Sequence, residues 1–488
     1  MTNLKWMASV AYGVLLCAVL TACTVGPNFV KPEIKAPEQW SPPASDVSSV
    51  TFGGAVDTSW WNSFNDRELS SLVKRLAAQN LDVAVAAERV TQAMSQRQVV
   101  RSQGLPQLDA QATYQRQRVS PNGVASLDVT APGAPFEYNL FQDGLSASWE
   151  LDLFGRVRRS MEASDANLDA TIEVRHGVAL SAVAELARDY MQLRGVQAEE
   201  EVVRRNLALA TQNIALVQSR FDNGVATTLD LAQARSQLAT IASTLPQLRT
   251  TGAQLINAIG LLLAAPPRQL VAELSVPTPQ PGTPPRVPVG LPGALARQRP
   301  DIREAEARLH EATASTGVAV ASFYPDVTLM GNFNLNGLEF PEAFSFFDRA
   351  FAVGPSVDLP IFQGGRLRGT LHMRESQQRQ AAILFRKTVL HAWQEVDDAM
   401  TAYAEVQHTR DALTEALRQD RLALDAAKER YAQGVVDFLN VLTAQAALLQ
   451  SEQALVDNVT QEEVRLVALY LSLGGGWEWS DPGTTLIK

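Results

Sequence analysis

The side chains best equipped to make a specific, reversible contact fall in two copies of one short segment. Arg220-Phe221-Asp222-Asn223-Gly224-Val225-Ala226-Thr227-Thr228-Leu229-Asp230-Leu231 is matched far downstream by Arg430-Tyr431-Ala432-Gln433-Gly434-Val435-Val436-Asp437-Phe438-Leu439-Asn440-Val441. Both read Arg-aromatic-x-x-Gly-Val, then Leu and an Asp or Asn. Arginine and a carboxylate join through charge-assisted hydrogen bonds, strong in geometry yet weak in net energy when exposed. That is the chemistry of non-covalent contact, not of covalent catalysis. His176, His310, His372, His391 and His408 are scattered without ligand spacing. No Ser/His/Asp arrangement or Gly-rich phosphate loop is present, so no catalytic site, metal or cofactor is expected.

The elements that hold these segments are long. Each copy lies between two Ala/Leu-rich stretches of helical character, and the Gly supplies the φ > 0 residue that ends the first helix. Each therefore reads as the tip of a helical hairpin. The first hairpin has a helix from about residue 156 to 221, with bends possible at Gly177 and Gly195, and a return to about 265 with a kink at Pro246. The second runs from about 365 to 432 and returns to Leu473-Gly474-Gly475-Gly476. Leu448, Leu455, Val459, Leu466, Leu469 and Leu473 form a coiled-coil-like stripe on that return. Duplication of one hairpin would put both tips at the same end of the molecule.

Ahead of each hairpin the hydrophobic period changes. Leu145, Ala147, Trp149, Leu151 and Leu153 alternate strictly with polar residues, and Gln107 to Arg118 alternates more loosely. In the second half Val327 to Leu335 and Phe351 to Ile361 alternate. Residues 120–136 read as a long loop, so each half contributes one β-hairpin. Leu69, Leu72, Val73, Leu76, Leu81 and Val85 follow helical spacing between residues 66 and 103, with Asn80 a possible break. The domain reading is a signal peptide at 1–22, an extended strap at 23–59, a first repeat at 60–265, a Pro-rich linker at 266–292, a second repeat at 293–476 and a tail at 477–488.

Composition narrows the function. The net charge of −10 gives no electrostatic footprint for nucleic acid. Beyond the N-terminal apolar run no stretch is long enough for a transmembrane helix. A membrane crossing would have to be a closed β-barrel. Four amphipathic strands cannot close one, and an open edge is not tolerated in lipid. Two chains would give eight strands and a filled interior, three would give twelve and a passage, and three is the expectation. Of 17 Phe, 8 Trp and 8 Tyr, nearly half cluster in the strand regions, as aromatic girdles would. A positively charged start, an apolar run and Leu20-Thr21-Ala22-Cys23 resemble a signal peptide ending in a bacterial lipobox. Cys23 would then carry the acyl chains that anchor the mature protein.

With Cys23, Trp60-Trp61-x-x-Phe64, Arg299-Pro300-Asp301-Ile302-Arg303-x-Ala305-Glu306, Phe323-Tyr324-Pro325 and the twin tips in this order, the chain resembles the outer-membrane factor family. These are the TolC-like channels of tripartite efflux pumps, and the match is to the NodT-like lipoprotein branch. The resemblance implies a mostly α homotrimer with a 12-stranded outer-membrane β-barrel, four strands per chain, continued by a long α-helical periplasmic barrel. It implies outer-membrane lipid around the barrel, a periplasmic adaptor at the tips, and a proton-driven RND-type inner-membrane pump. It further implies a gate of Asp230, Arg430 and Tyr431, with Leu439 at the constriction and Asn440 and Thr443 where other members often carry acidic rings. Gly224, Val225, Gly434 and Val435 match the adaptor-contacting positions. The expected function is passive export of small molecules. A duct for protein secretion and a poreless periplasmic coiled-coil lipoprotein are the competing readings.

Overall fold

The computed structural model describes residues 24–33, 35–40, 47–118, 120, 137–342 and 345–480. Cys23, the signal peptide, the first β-hairpin loop and most of the C-terminal tail lie outside them. The chain forms two compact units, one of residues 1–32, 91–170 and 305–384, the other of 33–90, 171–304 and 385–488.

The first unit holds a four-stranded antiparallel sheet of β2 (Gln107–Arg118), β3 (Glu137–Glu150), β5 (Asp326–Gly337) and β6 (Arg349–Asp358), in the order β2-β3-β5-β6. The register sorts residues by face. Leu108 pairs with Ala147, Ala147 with Gly331 and Gly331 with Val353; Ala110, Leu145, Phe333 and Phe351 form the next such row. Gln111 pairs with Gly144, Gly144 with Asn334 and Asn334 with Ala350, and Thr113, Gln142 and Asn336 form another row on that opposite side. One face is thus apolar across all four strands and the other largely polar. Phe351, Val353 and Val357 on the apolar face are exposed, and among the described residues the outer edges of β2 and β6 are unpaired.

β3 begins at Glu137, where the expected loop of residues 120–136 ends, and stops at Glu150, short of Leu151 and Leu153 in the alternating run. β6 ends at Asp358 rather than Ile361, just before Pro360, which has no N–H for a ladder.

Strap residues 24–31 are fastened to this unit. Buried Arg159 donates to Asn28 Oδ1 (2.6 Å), to the Val25 and Gly26 carbonyls and to Glu162, while Phe29 stacks on His310. Val25 N–H donates to Phe154 O, and a Cβ at Gly155 would collide with Thr24. The residue after Cys23 therefore sits where β3 gives way to the first long helix.

In the second unit, Asp66 caps α1 (Arg67–Gln79) by accepting from Glu68 and Leu69 N–H. Leu69, Leu72, Val73 and Leu76 are buried as expected, but Leu81 and Val85 are exposed. The helix does break at Asn80, whose side chain caps α2 (Leu81–Ser102) through Val83 N–H, and the phase resets so that Ala86 and Val90 turn inward instead.

The strap and the linker are more structured than their composition suggests. β1 (Val50–Phe52) pairs in parallel with β4 (Arg286–Pro288), a link between distant segments that neither sequence displays. Linker residues Gln280 and Thr283 donate to Thr460 and Glu462.

The long helices are α3 (Arg156–Asp222) and α4 (Thr228–Leu262), then, after α5 (Pro300–Ala321), α6 (Arg366–Ala432) and α7 (Phe438–Leu473). α3 and α6 each have 67 residues, on the order of 100 Å of helix. α3 is unbroken at Gly177 and Gly195, and α4 continues through Pro246. Gly195 serves close approach: a Cβ there would strike Thr460 of α7.

Candidate functional site

Both hairpin tips are built by the same backbone device. Gly224 and Gly434 take φ of +73° and +74°. Gly224 N–H donates to Phe221 O (2.9 Å) and Val225 N–H to Arg220 O (2.9 Å); Gly434 and Val435 repeat this on Tyr431 O and Arg430 O at 3.0 Å each. This Schellman arrangement uses orphan carbonyls at each helix end and turns the chain sharply. The space beside either glycine is open, so the left-handed backbone, and not crowding, calls for Gly there.

The next helix starts differently in the two copies. Thr227 and Asp230 form a full capping box on α4: Asp230 N–H donates to Thr227 Oγ1 (3.2 Å), while Thr227 N–H and Oγ1–H both donate to Asp230 Oδ2 (2.8 Å each). Asp437 occupies the same place before α7 without a side-chain cap.

Arginine and aromatic side chains also diverge. Arg220 reaches from the first tip to the second, donating to Tyr431 O (2.7 Å) and Ala432 O (3.1 Å), with its guanidinium 4.4 Å from the centre of the Tyr431 ring. A cation on the carbonyl end of α6 satisfies its orphan acceptors and complements the helix dipole. Tyr431 is 6% exposed and packs on Phe438 at 5.4 Å. Arg430, by contrast, is exposed and among the described residues makes no hydrogen bond or ion pair. Within one chain, then, Arg430 does not meet Asp230. Arg220 stands outside the expected gate set, although its place in the twin segment marks it as the counterpart of Arg430.

Behind the tips, Val217 of α3, Leu231 and Ala234 of α4, Leu417, Leu424 and Tyr431 of α6, and Phe438, Val441 and Leu448 of α7 form one buried cluster. All four helices are thereby packed together with both tips at one end. Buried Asn213 donates to Gln445 across this seam (2.6 Å). Outside the cluster the two copies expose equivalent apolar residues: Val225 and Val435 at 68% and 64%, Leu229 and Leu439 at 63% and 58%. Asn440 and Thr443 are exposed as well, each with its side chain bonded back to its own helix, to Asp437 O and Leu439 O. Such pairs of exposed apolar side chains, repeated on two tips, suit contact with further protein.

Comparison with known proteins gives this architecture its context. The outer membrane efflux protein family matches residues 72–265 and 291–475. The chain belongs to that family. Over 490 residues it is 31% identical to outer membrane protein OprJ of Pseudomonas aeruginosa, covering 99% of this chain and 98% of that one. It is 30% identical to Nodulation protein T of Rhizobium leguminosarum bv. viciae over 463 residues, 95% of this chain and 92% of that one. The solved structure of the outer-membrane channel OprN superposes with a TM-score of 0.86 at 32% identity, over 93% of this chain and all of that one. Members are outer-membrane efflux channels, not enzymes, and the protein is located in the outer membrane of a Gram-negative bacterium.

Trp60 and Arg299, from two other stretches that carry the family likeness, lie away from the tips and tie distant segments of the second unit together. Trp60 is fully buried, donates from Nε1 to Gly475 O (3.2 Å) and stacks on Tyr470 at 5.1 Å. Arg299 donates to Ser472 O at the end of α7 (2.7 Å), to Glu395 (2.6 Å) and to Asp301. It repeats on α7 what Arg220 does on α6. One buried group stands apart: both carboxyl oxygens of Glu463 lack a hydrogen bond among the described residues. Burial, then the neighbouring Glu462 and Asp66 carboxylates, pushes its pKa up to about 9.

Proposed function

We propose that the chain is the passive exit duct of a tripartite efflux system, a homotrimer that passes small molecules delivered by an inner-membrane pump through a periplasmic adaptor. The observation that carries this reading is the sheet: four strands with one apolar face and two open edges. Such a sheet is incompatible with lipid until its edges are closed by other copies. Three copies of the four-stranded sheet would give a barrel of twelve strands, wide enough for an aqueous passage. The long helices would continue that passage into the periplasm. Acyl chains on Cys23 would anchor it to the membrane; the next residue, Thr24, is seated against Gly155.

In this reading the tips are the gate. Leu439 lines the constriction, while Asn440 and Thr443 form a neutral ring beside it. Asp230 and Tyr431 keep the hairpins in shape, and Arg430 links neighbours. Val225 and Val435, exposed beside Gly224 and Gly434, are the surface an adaptor would cover. A proton-driven RND-type pump is the partner that likeness to the NodT-like lipoprotein branch favours.

Planar-bilayer recording on the purified protein, with native mass spectrometry of the same sample, tests this. A trimer with a small closed-state conductance that rises in Arg430→Ala is expected. A monomer without conductance in wild type and variant alike would refute the duct.

A further inference from the structure

The Arg220 contact is not returned. It runs from the first tip to the second, and the second tip makes no matching contact with the first inside the same chain. We propose that Arg430 completes the pattern on a neighbouring copy of this chain, donating to that copy's Phe221 and Asp222 carbonyl oxygens with its guanidinium over the Phe221 ring. The inference rests on the trimeric reading above and assigns it a specific inter-subunit contact.

Four observations carry it. The two tips have the same backbone, with matching glycine φ values and matching turn hydrogen bonds. What Arg220 finds on α6 is therefore present, atom for atom in the backbone, at the end of α3. That end is one donor short: Phe221 O accepts from Gly224 N–H as Tyr431 O does from Gly434 N–H, but among the described residues neither Phe221 O nor Asp222 O receives a side-chain donor. Phe221 is half-buried where Tyr431, under Arg220, is buried. Finally, Arg430 is exposed and unengaged among the described residues, whereas Asp230 Oδ2 already accepts two hydrogen bonds from Thr227.

The geometry of repetition supplies the rest. A contact from hairpin one to hairpin two that is not reciprocated is head-to-tail. Between related surfaces such a contact propagates until a ring closes. Alternate links in the ring are then Arg220 within a chain and Arg430 between chains. The guanidinium suits two adjacent carbonyls because its N–H groups form a fixed fork.

Crosslinking in the full-length protein tests the assignment. Asp222→Cys combined with Arg430→Cys, treated with a short bis-maleimide, should give chains linked in twos and threes on a denaturing gel. Arg220→Cys combined with Ala432→Cys should link within chains and give no ladder. A variant that is trimeric by native mass spectrometry yet yields only single chains from the 222/430 pair overturns the contact. A wild-type protein that is not trimeric overturns the underlying reading instead.

Single substitutions cover the case in which the cysteine pair does not assemble. Arg430→Ala should raise closed-state conductance about tenfold, Arg430→Lys less, and Asp230→Asn should leave it near wild type. If Asp230→Asn matches Arg430→Ala, and exchanging the pair as Arg430→Asp with Asp230→Arg restores closure, then Arg430 pairs with Asp230 and the carbonyl assignment is wrong.

Discussion

At the first tip a capping box closes the start of α4, and Arg220 crosses to the neighbouring helix end. At the second, α7 starts without a side-chain cap and Arg430 stands exposed. The turns between the helices share the Gly and Val N–H hydrogen bonds and the left-handed glycine conformation. What separates them is surroundings: the first arginine has a helix end within reach inside the chain, and the second must find one outside it. A duplicated segment thus reproduces its own backbone faithfully, because turn geometry is local. Its side-chain partners are not local and are not duplicated with it.

The comparison is most exposed at Arg220. Arg220→Ala removes two charge-assisted hydrogen bonds and a ring contact, about 2 kcal/mol of hairpin-to-hairpin association. Hydrogen-exchange mass spectrometry should show faster exchange at the end of α6 and at the Gly434 and Val435 amides, with the first tip little changed. Equal deprotection of both tips would mean that they open as one unit and that Arg220 does not set them apart.

A second measurement separates the tips from the body of α7. Glu463 holds its proton in the folded protein up to about pH 9, while in the unfolded chain it loses it in the ordinary carboxylate range near 4.5. Between those values the folded state binds more protons, so stability falls as pH rises through that window. Glu463→Gln should raise the Tm by a few degrees at pH 8, have little effect at pH 4, and leave exchange at the tips unchanged. A pH-independent effect would show that the carboxyl is not the titrating group.

The smallest effect should come from the helix starts. Thr227→Ala breaks the capping box and should cost about 1 kcal/mol, read as faster exchange in the first turn of α4. Asp437→Ala, where no side-chain cap exists, should change the first turn of α7 by no more than a few tenths. Equal costs would place the difference between the tips elsewhere.

Much of this was legible in residues. The alternation at Leu145 and Val327, the break at Asn80 and the helix-ending glycines all follow from neighbours a few positions apart. The exceptions share a cause. The parallel pairing of Val50–Phe52 with Arg286–Pro288 joins two Pro-rich segments whose composition reads as unstructured. At Leu81 and Val85 a helical stripe was extended through a break that resets its phase.

Sequence alone determined the hairpin tips, because a left-handed glycine between two helical runs leaves few other conformations. It also determined the two-faced strands, since alternation at period two admits one apolar side. Only the tertiary structure decided that Arg220 rests on the end of α6 while Arg430 does not rest on α3. It also decided that Glu463 is enclosed with no hydrogen-bond partner among the described residues. Those outcomes depend on which helix ends and which charges long-range packing brings within a few ångströms, and no local pattern records that.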